Sequence, residues 1–179
     1  MKVYIALLRG INVGGKKRLP MADLRTMLND MGFLNVKTYI QSGNVVFQSH
    51  KDDTGGLEAS ITEHIKSSFG FEVPVLVKTK KEFENLVMGN PFTDAGAISR
   101  KQVYFVLLKN PPEKERSATF GRETYANEDF TITDFCVYLL CKAGYGKAKL
   151  NNNRIEGKLK VEATARNYGT MVKLLEMAS

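Results

Sequence analysis

Two seven-residue segments, one hundred positions apart, read alike. Residues 2–8 are KVYIALL and residues 102–108 are QVYFVLL, and each is followed by a basic residue, Arg9 or Lys109. Segments that are apolar at successive positions are typical of strands buried on both faces. The same order of helix and strand patterns begins again after the second segment. The sequence therefore predicts a duplicated α+β half, with the two halves packed together.

The first half has the element order β-α-β-β-α-β of a ferredoxin-like fold. Apolar periodicity, Gly and Pro predict strands at 3–8, 36–41, 44–48 and 73–77, helices at 20–31 and 57–69, and a loop at 50–56. Pro20 suits the first helical position, and Ser42-Gly43 is a hairpin signal. Thr79 and Glu82 form a capping-box pattern that opens a further helix.

The second half is predicted to be a related α+β subdomain with C-terminal helices. Its expected strands are 102–108, 130–133 and 135–140, with helices ending near 120, around 154–159 and in the last residues. We expect subdomains at 1–89 and 102–179, joined by a linker at 90–101.

The chain carries a net charge of +7, which is concentrated near its two ends. Residues 1–25 hold six basic side chains against one acidic, and residues 142–173 hold eight against two. The pattern fits either two solvated basic faces or one positive cleft. No segment is apolar enough for a membrane span or a signal peptide, so a cytoplasmic protein with no membrane association is expected.

The first candidate site is the loop RGINVGGKK at 9–17. It fits the phosphate-loop spacing G-x-x-x-x-G-K, but Lys17 stands where magnesium binding requires Ser or Thr. The helix is also expected about four residues too late to meet a phosphate. We therefore exclude a nucleotide-binding phosphate loop. Gly14 and Gly15 then belong either to an anion-binding nest among basic residues or to a turn that requires positive φ.

Two further candidate anion sites lie near the end of the chain. The segment GYGKAKL at 144–150 contains two glycines, with Lys147 and Lys149 between apolar residues. Arg166 directly precedes Asn167, which is a good N-cap for a terminal helix. A helix N-terminus offers free N–H donors, and an Arg fork suits phosphate or carboxylate. An ordinary capped helix with a surface arginine is the structural alternative.

Catalytic and metal-binding patterns are not found. Cys136 and Cys141 are expected to be reduced structural residues, because five positions apart on one strand they cannot bridge. His50 and His64 lack ligand spacing, so no metal site is predicted. Ser42 is the only serine singled out, and no base can be assigned to it. Neither a cofactor nor an enzymatic activity follows from the sequence.

Three blocks of the sequence resemble a widespread bacterial family. They are RGINVGGK followed by PM and an amphipathic helix, YIQSGNVVF, and the closing TARN-Y-x-T-x-x-KLLEMA. The family is catalogued as domain of unknown function 1697, and the resemblance covers nearly the whole chain. It implies two packed α+β subdomains, the first ferredoxin-like, and no established activity. The chain departs from the family pattern at Tyr168, where Trp is commoner, and at Ala148, where Ser is common.

Three functions remain open. The first is binding of a small phosphate- or carboxylate-bearing ligand in a basic cleft between the subdomains. The second is nucleic-acid binding through the basic surface, with Tyr4 as a stacking ring, and the third is a non-catalytic interaction module. The ligand site of the first hypothesis consists of Arg9, Asn12, Gly14, Gly15, Lys16, Ser42, Asn44, Lys147, Lys149, Arg166 and Asn167.

Overall fold

The structure is a computed structural model that describes all 179 residues. It contains eight strands and seven α-helices, and the α+β class predicted from the sequence is confirmed. The elements are β1 (Lys2–Leu8), α1 (Met21–Asp30), β2 (Leu34–Tyr39), β3 (Asn44–Ser49), α2 (Thr54–Phe69), β4 (Val75–Thr79), α3 (Lys80–Met88), α4 (Ala95–Ser99), β5 (Val103–Leu108), α5 (Lys114–Gly121), β6 (Glu128–Ile132), β7 (Cys136–Cys141), α6 (Asn152–Leu159), β8 (Ala163–Asn167) and α7 (Tyr168–Met177). The chain forms two compact units, Met1–Asn85 with Lys173–Ser179 and Leu86–Val172.

The first unit has the ferredoxin-like topology that the element order predicts. Its four antiparallel strands are ordered β2-β3-β1-β4, and β1 lies between β3 and β4. Alternate side chains of β1, including Tyr4 and Leu8, enter a core shared with Leu24 of α1 and Ile61 of α2. These helix residues are buried because α1 and α2 each present an apolar stripe at helical spacing.

The second unit repeats this topology. Its strand order is β6-β7-β5-β8, and β5 lies between β7 and β8 as β1 lies between β3 and β4. The equivalence extends to single hydrogen bonds. The N–H of Leu8 donates to Gly43 O at 2.8 Å, and the N–H of Leu108 donates to Phe135 O at 2.9 Å. The duplication inferred from two seven-residue segments therefore holds for a complete four-stranded sheet in each unit.

Several predicted element boundaries are corrected. Pro20 is the N-cap of α1, since its ψ of 136° is not helical, and the helix begins at Met21. The predicted loop at 50–56 is too long, because α2 begins at Thr54 with an Asp53 cap on the N–H of Gly55. The segment 90–101, expected to be a linker, contains α4.

Candidate functional site

The glycines of the opening loop are explained by a tight turn. Val13 and Lys16 form a β-bridge, with the N–H of Lys16 donating to Val13 O at 3.1 Å. Gly14 and Gly15 stand between them with φ values of 59° and 72°. Two successive positive φ values are what a type I′ hairpin turn requires. The loop is thus a small exposed hairpin that ends before α1 begins, which agrees with the exclusion of a phosphate loop.

The opening loop is fixed to the β2–β3 hairpin within the first unit. The Asn12 amide donates to Leu19 O at 2.9 Å and to Gln41 O at 2.8 Å, and Asn12 Oδ1 accepts the N–H of Leu19. Asn44 is fully buried, and its amide donates to Tyr39 O. These contacts bring the predicted residues Arg9, Asn12, Lys16, Ser42 and Asn44 to one end of the first sheet. They also give the two asparagines structural roles.

The other predicted site residues lie at one end of the second sheet. Strand β7 ends at Cys141, where the loop 142–151 begins, and β8 ends at Asn167 beside the start of β5. Within the loop, the Tyr145 ring stacks on the ring of Tyr104 with centroids 4.2 Å apart. Tyr104 is the strand partner of Asn167. The loop containing Lys147 and Lys149 therefore lies at the same sheet end as Arg166 and Asn167.

Arg166 is partly buried at this end of β8, a strand that the sequence analysis did not predict. Its Nη1 donates to Ala165 O at 2.8 Å. Burial lowers the pKa of the Arg166 guanidinium to about 10, and the nearby Tyr145 hydroxyl acts in the opposite direction. Removing a cation from water is unfavourable, so an anionic group placed beside Arg166 would regain electrostatic energy.

Helix α7 begins immediately after β8. Asn167 Oδ1 accepts the N–H of Thr170 at 2.8 Å, which confirms Asn167 as the N-cap. The exposed Gly169 adds no side chain to this first turn. The N-terminal donors of α7 therefore lie beside the Arg166 backbone.

Glu128 is a buried residue of this region that the sequence analysis missed. Its Oε1 accepts the N–H of Lys149, and its Oε2 is buried without a hydrogen-bond partner. The side chains of Lys147 and Lys149 are themselves exposed. A lone glutamate in a strand pattern carries no sequence signal that distinguishes it from a surface residue. Glu128 holds the C-terminal part of the basic loop against the sheet.

The two units differ most in two connections. The connection between β1 and α1 spans residues 9–20, whereas the one between β5 and α5 spans only 109–113. Conversely, β3 and α2 are joined by residues 50–53, and β7 and α6 by 142–151. Each insertion coincides with a glycine- and lysine-containing segment singled out from the sequence. These two segments therefore lengthen connections that are short in the other unit.

The outer edges of β4 and β8 also differ. In β4 the N–H of Val77 donates to Glu58 Oε1 at 2.9 Å, and the N–H of Thr79 donates to Glu82 Oε2 at 2.8 Å. The register makes Ala165 of β8 the equivalent of Val77, and Asn167 the equivalent of Thr79. No carboxylate side chain lies on these two N–H groups of β8.

A further polar cluster lies on the helical side of the second unit. Lys158 and Tyr125 both donate to the Glu123 carboxylate, and these two hydrogen bonds hold its pKa below the ordinary glutamate value. Glu123 and Lys158 line a groove of about 390 Å³ together with Phe120. The sequence analysis missed this cluster because its members come from two separate segments, the loop after α5 and helix α6.

Tyr4 cannot serve as a base-stacking ring. It is fully buried, its ring packs against Phe47 at 5.6 Å, and its hydroxyl donates to Lys51 O. The structure also contains no group of three His, Cys, Asp or Glu side chains placed to hold a metal ion. None of its helices is long and apolar enough to cross a membrane.

The comparison with protein families agrees with the blocks RGINVGGK and YIQSGNVVF. The profile described as protein of unknown function DUF1697 matches residues 1–138. The chain belongs to this family. A comparison with curated proteins finds no match.

The fold of this family member recurs in a solved structure, a conserved bacterial protein SP0830 from Streptococcus pneumoniae. The two chains share 23% identity, the match covers 99% of each, and the TM-score is 0.72. At that identity the likeness supports the fold alone.

Proposed function

We propose that this protein binds a small phosphate- or carboxylate-bearing ligand at the end of β8 in its second unit. The proposed site, here named the β8–α7 site, consists of Ala165, Arg166, Asn167 and the first turn of α7. The basic loop 144–150, with Lys147 and Lys149, flanks it.

The observation that carries the proposal is the difference between equivalent helix starts. In the first unit, the Glu82 carboxylate folds back onto Thr79 and supplies negative charge to the N-terminus of α3. In the second unit, the neutral Thr170 stands three residues after Asn167 and only its N–H bonds to the cap. A helix N-terminus favours negative charge. The N-terminus of α3 receives that charge from the carboxylate of Glu82, and the N-terminus of α7 would receive it from a bound anionic ligand.

Arg166 adds a charged donor to this helix start. Its guanidinium has planar, forked N–H groups that match two oxygens of a carboxylate or phosphate. Its lowered pKa reflects the cost of burial, which an anion would offset. Asn12 and Asn44 of the original ligand set contribute to folding of the first unit, and the proposal does not depend on them.

Thermal shift of the wild type and Arg166→Ala tests the proposal. The panel contains inorganic phosphate, mononucleotides, small carboxylates and short RNA, each at low and high salt. A ligand at about 100 times its Kd stabilises a protein by about 2.7 kcal/mol, or several degrees in a chain of this size. We expect a small anion to give this shift with the wild type and to lose most of it with Arg166→Ala.

The matched control is Arg122→Ala, which removes an exposed arginine of the same unit. It should retain the full shift. Equal shifts in the wild type and Arg166→Ala would contradict the proposed site. A shift obtained only with RNA, and abolished at high salt, would instead favour nucleic-acid binding, because phosphate contacts weaken as salt rises.

A further inference from the structure

One end of the first sheet carries exposed aliphatic side chains on two neighbouring turns. Val13 lies in the hairpin of the opening loop and is 67% exposed, and Ile40 begins the turn between β2 and β3 and is 52% exposed. The two turns are joined, because the Asn12 amide donates to Gln41 O at 2.8 Å. Val13 and Ile40 each adjoin a residue of this hydrogen bond, so they belong to one surface of the first unit.

Ile40 is held in a backbone conformation that isoleucine disfavours. Its φ of 49° lies in the left-handed region, where a β-branched side chain is crowded by its own backbone. Glycine or asparagine is usual at such positions, as Gly43 in the same turn and Asn12 in the opening loop show. Strained residues are concentrated at functional sites. A side chain that is both strained and half exposed is therefore better explained by a contact outside the chain than by folding.

The surroundings of these two side chains are positively charged. The connection 9–20 contains four basic residues and no acidic one, and the turn 40–43 contains no charged residue. Lys16 and Arg18 are exposed and form no ion pair. The positive charge of these two side chains is therefore not neutralised by a carboxylate of their own chain.

Lys17 adds a third exposed cation to this connection. Its Nζ donates to the backbone carbonyl of Glu72 at 2.7 Å. The Glu72 carboxylate itself pairs with Lys66 at 2.7 Å. The contact between Lys17 and Glu72 thus holds the lysine in place without an ion pair.

The equivalent end of the second unit does not have this excess of positive charge. Its connection 109–113 contains Lys109 and Glu113, and its turn 133–135 contains Asp134. An exposed apolar side chain is present there too, since Phe135 is 43% exposed. The combination of aliphatic side chains with unpaired cations is therefore specific to the first unit.

The chemistry of this surface restricts its partner. A second copy bound through the same face would bring like charges together, which is unfavourable. Single-stranded nucleic acid gains affinity by stacking on aromatic rings, and Val13 and Ile40 offer none. A lipid bilayer requires a larger anchor, because these two side chains hold about half the apolar carbon of a myristoyl chain, which by itself binds membranes only marginally. An acidic polypeptide with apolar residues satisfies both the cations and the aliphatic side chains.

We propose that this surface docks an acidic segment of a partner protein that carries apolar side chains between its carboxylates. The surface, here named the turn surface, consists of Val13, Lys16, Lys17, Arg18 and Ile40. Carboxylates of the segment pair with Lys16 and Arg18, and its apolar side chains cover Val13 and Ile40. Opposite charges give specificity and fast association, and the apolar contact adds affinity. The turn surface includes no residue of the β8–α7 site, so the failure of either proposal leaves the other standing.

Fluorescence anisotropy with a labelled peptide tests the inference on the wild-type protein. The probe repeats the unit Glu-Leu-Ser-Glu-Leu, and the control peptide has serine in place of every leucine. The leucine peptide should bind at least about tenfold more tightly than the serine peptide, since only leucine can cover the two aliphatic side chains. Both affinities should fall as the salt concentration rises. Equal affinity for the two peptides would overturn the proposal.

Ile40→Asn separates binding from folding. Asparagine tolerates a positive φ, so the variant should unfold at a temperature no lower than that of the wild type. Its affinity for the leucine peptide should fall by about fivefold. The matched control is Leu34→Asn, which removes an aliphatic side chain that is 48% exposed at the opposite end of β2 and should leave the affinity unchanged. Unchanged binding by Ile40→Asn, or a lower unfolding temperature, would count against the proposal.

A double substitution, Lys16→Gln with Arg18→Gln, tests the charged part of the turn surface. The matched control is Lys114→Gln with Arg122→Gln, which changes the net charge equally through exposed residues of the second unit. The first variant should bind the leucine peptide about tenfold more weakly, and the second should bind it as the wild type does. Equal losses would show that net charge alone attracts the peptide.

Two further probes test the excluded partners. They are short RNA and vesicles of phosphatidylserine and phosphatidylcholine. Neither should bind as tightly as the leucine peptide. Tighter binding of RNA or vesicles that is weakened by Ile40→Asn would assign the turn surface to that partner and overturn the proposal.

Discussion

Asn167 occupies in the second unit the position that Thr79 occupies in the first. Each is the last residue of its edge strand, and each lies opposite a tyrosine of the neighbouring strand. Each also caps the helix that follows, Thr79 through its hydroxyl and Asn167 through its amide oxygen. Only the first of these helix starts is completed by a carboxylate, that of Glu82. The same backbone geometry therefore carries a carboxylate of its own chain in the first unit and has none at the equivalent position in the second.

Replacing Glu82 should destabilise the first unit. Its carboxylate accepts from both the N–H and the hydroxyl of Thr79. Glu82→Ala should therefore lower the free energy of unfolding by about 1 kcal/mol, measured by urea denaturation. Glu84→Ala, which removes a partly exposed carboxylate of the same helix that pairs with Lys81 instead of the cap, is the control. An equal loss in both variants would show that the capping contact is not the cause.

Gly43 should tolerate no side chain. Its φ is +75°, and a Cβ there would lie 2.5 Å from Leu8 Cβ. Gly43→Ala combines backbone strain of about 1–2 kcal/mol with an overpacking cost of about 1–3 kcal/mol. Gly10→Ala, at φ +70° with open space, should show only the backbone strain. Chemical denaturation of both variants measures the difference, and equal losses would contradict the packing argument.

The stability of the first unit should depend on the side chain of Asn12 as well as on the positive φ of its backbone. Its φ is +55°, and its amide makes three hydrogen bonds to the backbone of Leu19 and Gln41. Glycine adopts a positive φ without strain, so Asn12→Gly should keep the backbone conformation. It leaves partly buried polar groups of Leu19 and Gln41 without partners, which should lower the free energy of unfolding by about 1–3 kcal/mol. A smaller loss on thermal or urea unfolding would mean that water replaces the asparagine.

Glu123 should contribute a pH-dependent stability. Its hydrogen bonds from Lys158 and Tyr125 lower its pKa in the folded state. A carboxylate with a lowered folded pKa stabilises the protein above its unfolded value, about 4.3, and loses that contribution as the pH falls through the lower folded value. Urea unfolding of the wild type and Lys158→Met between neutral pH and pH 3 should show less acid destabilisation in the variant. Parallel curves would contradict this assignment.

The two cysteines should be inert in the folded protein. Both are free and buried, and burial raises the pKa of the Cys136 thiol, and that of the Cys141 thiol to about 12. Since the thiolate is the reactive form, a disulfide reagent at pH 8 should label neither residue until denaturant is added. Labelling at the global unfolding rate is expected. Rapid labelling of folded protein would show that strand β7 opens locally.

The sequence analysis located the repeat but missed β8, and the reason is physical. The strand ATARN contains one β-branched residue, Thr164, and lies at the edge of its sheet. Local preference and apolar periodicity are both weak there, and pairing with β5 decides the conformation. The first half was easier to predict because its strands combine apolar runs with clear Gly and Pro boundaries.

The candidate site residues, like the strands, could be predicted from the sequence only in part. Arg166 and the Asn167 cap could be identified because a basic residue, a capping residue and an apolar stripe are neighbours in the chain. Asn12 was singled out as a ligand-binding residue, but the structure gives its side chain structural hydrogen bonds. Glu123, Tyr125 and Lys158 could not be found as a cluster, because α6 must fold back beside the preceding loop before they meet.

The amino-acid sequence by itself determined the family, the α+β class and the duplicated order of elements. The family follows from the blocks RGINVGGK and YIQSGNVVF, which match the family profile. The class and the order of elements follow from local information: apolar periodicity, turn residues and the repeated segments KVYIALL and QVYFVLL. Only the tertiary structure decided that Val77 and Ala165 are equivalent edge positions with different surroundings. Strand register is set by pairing between distant segments, so the carboxylates on the N–H groups of Val77 and Thr79, and their absence from those of Ala165 and Asn167, emerge only when each sheet is assembled.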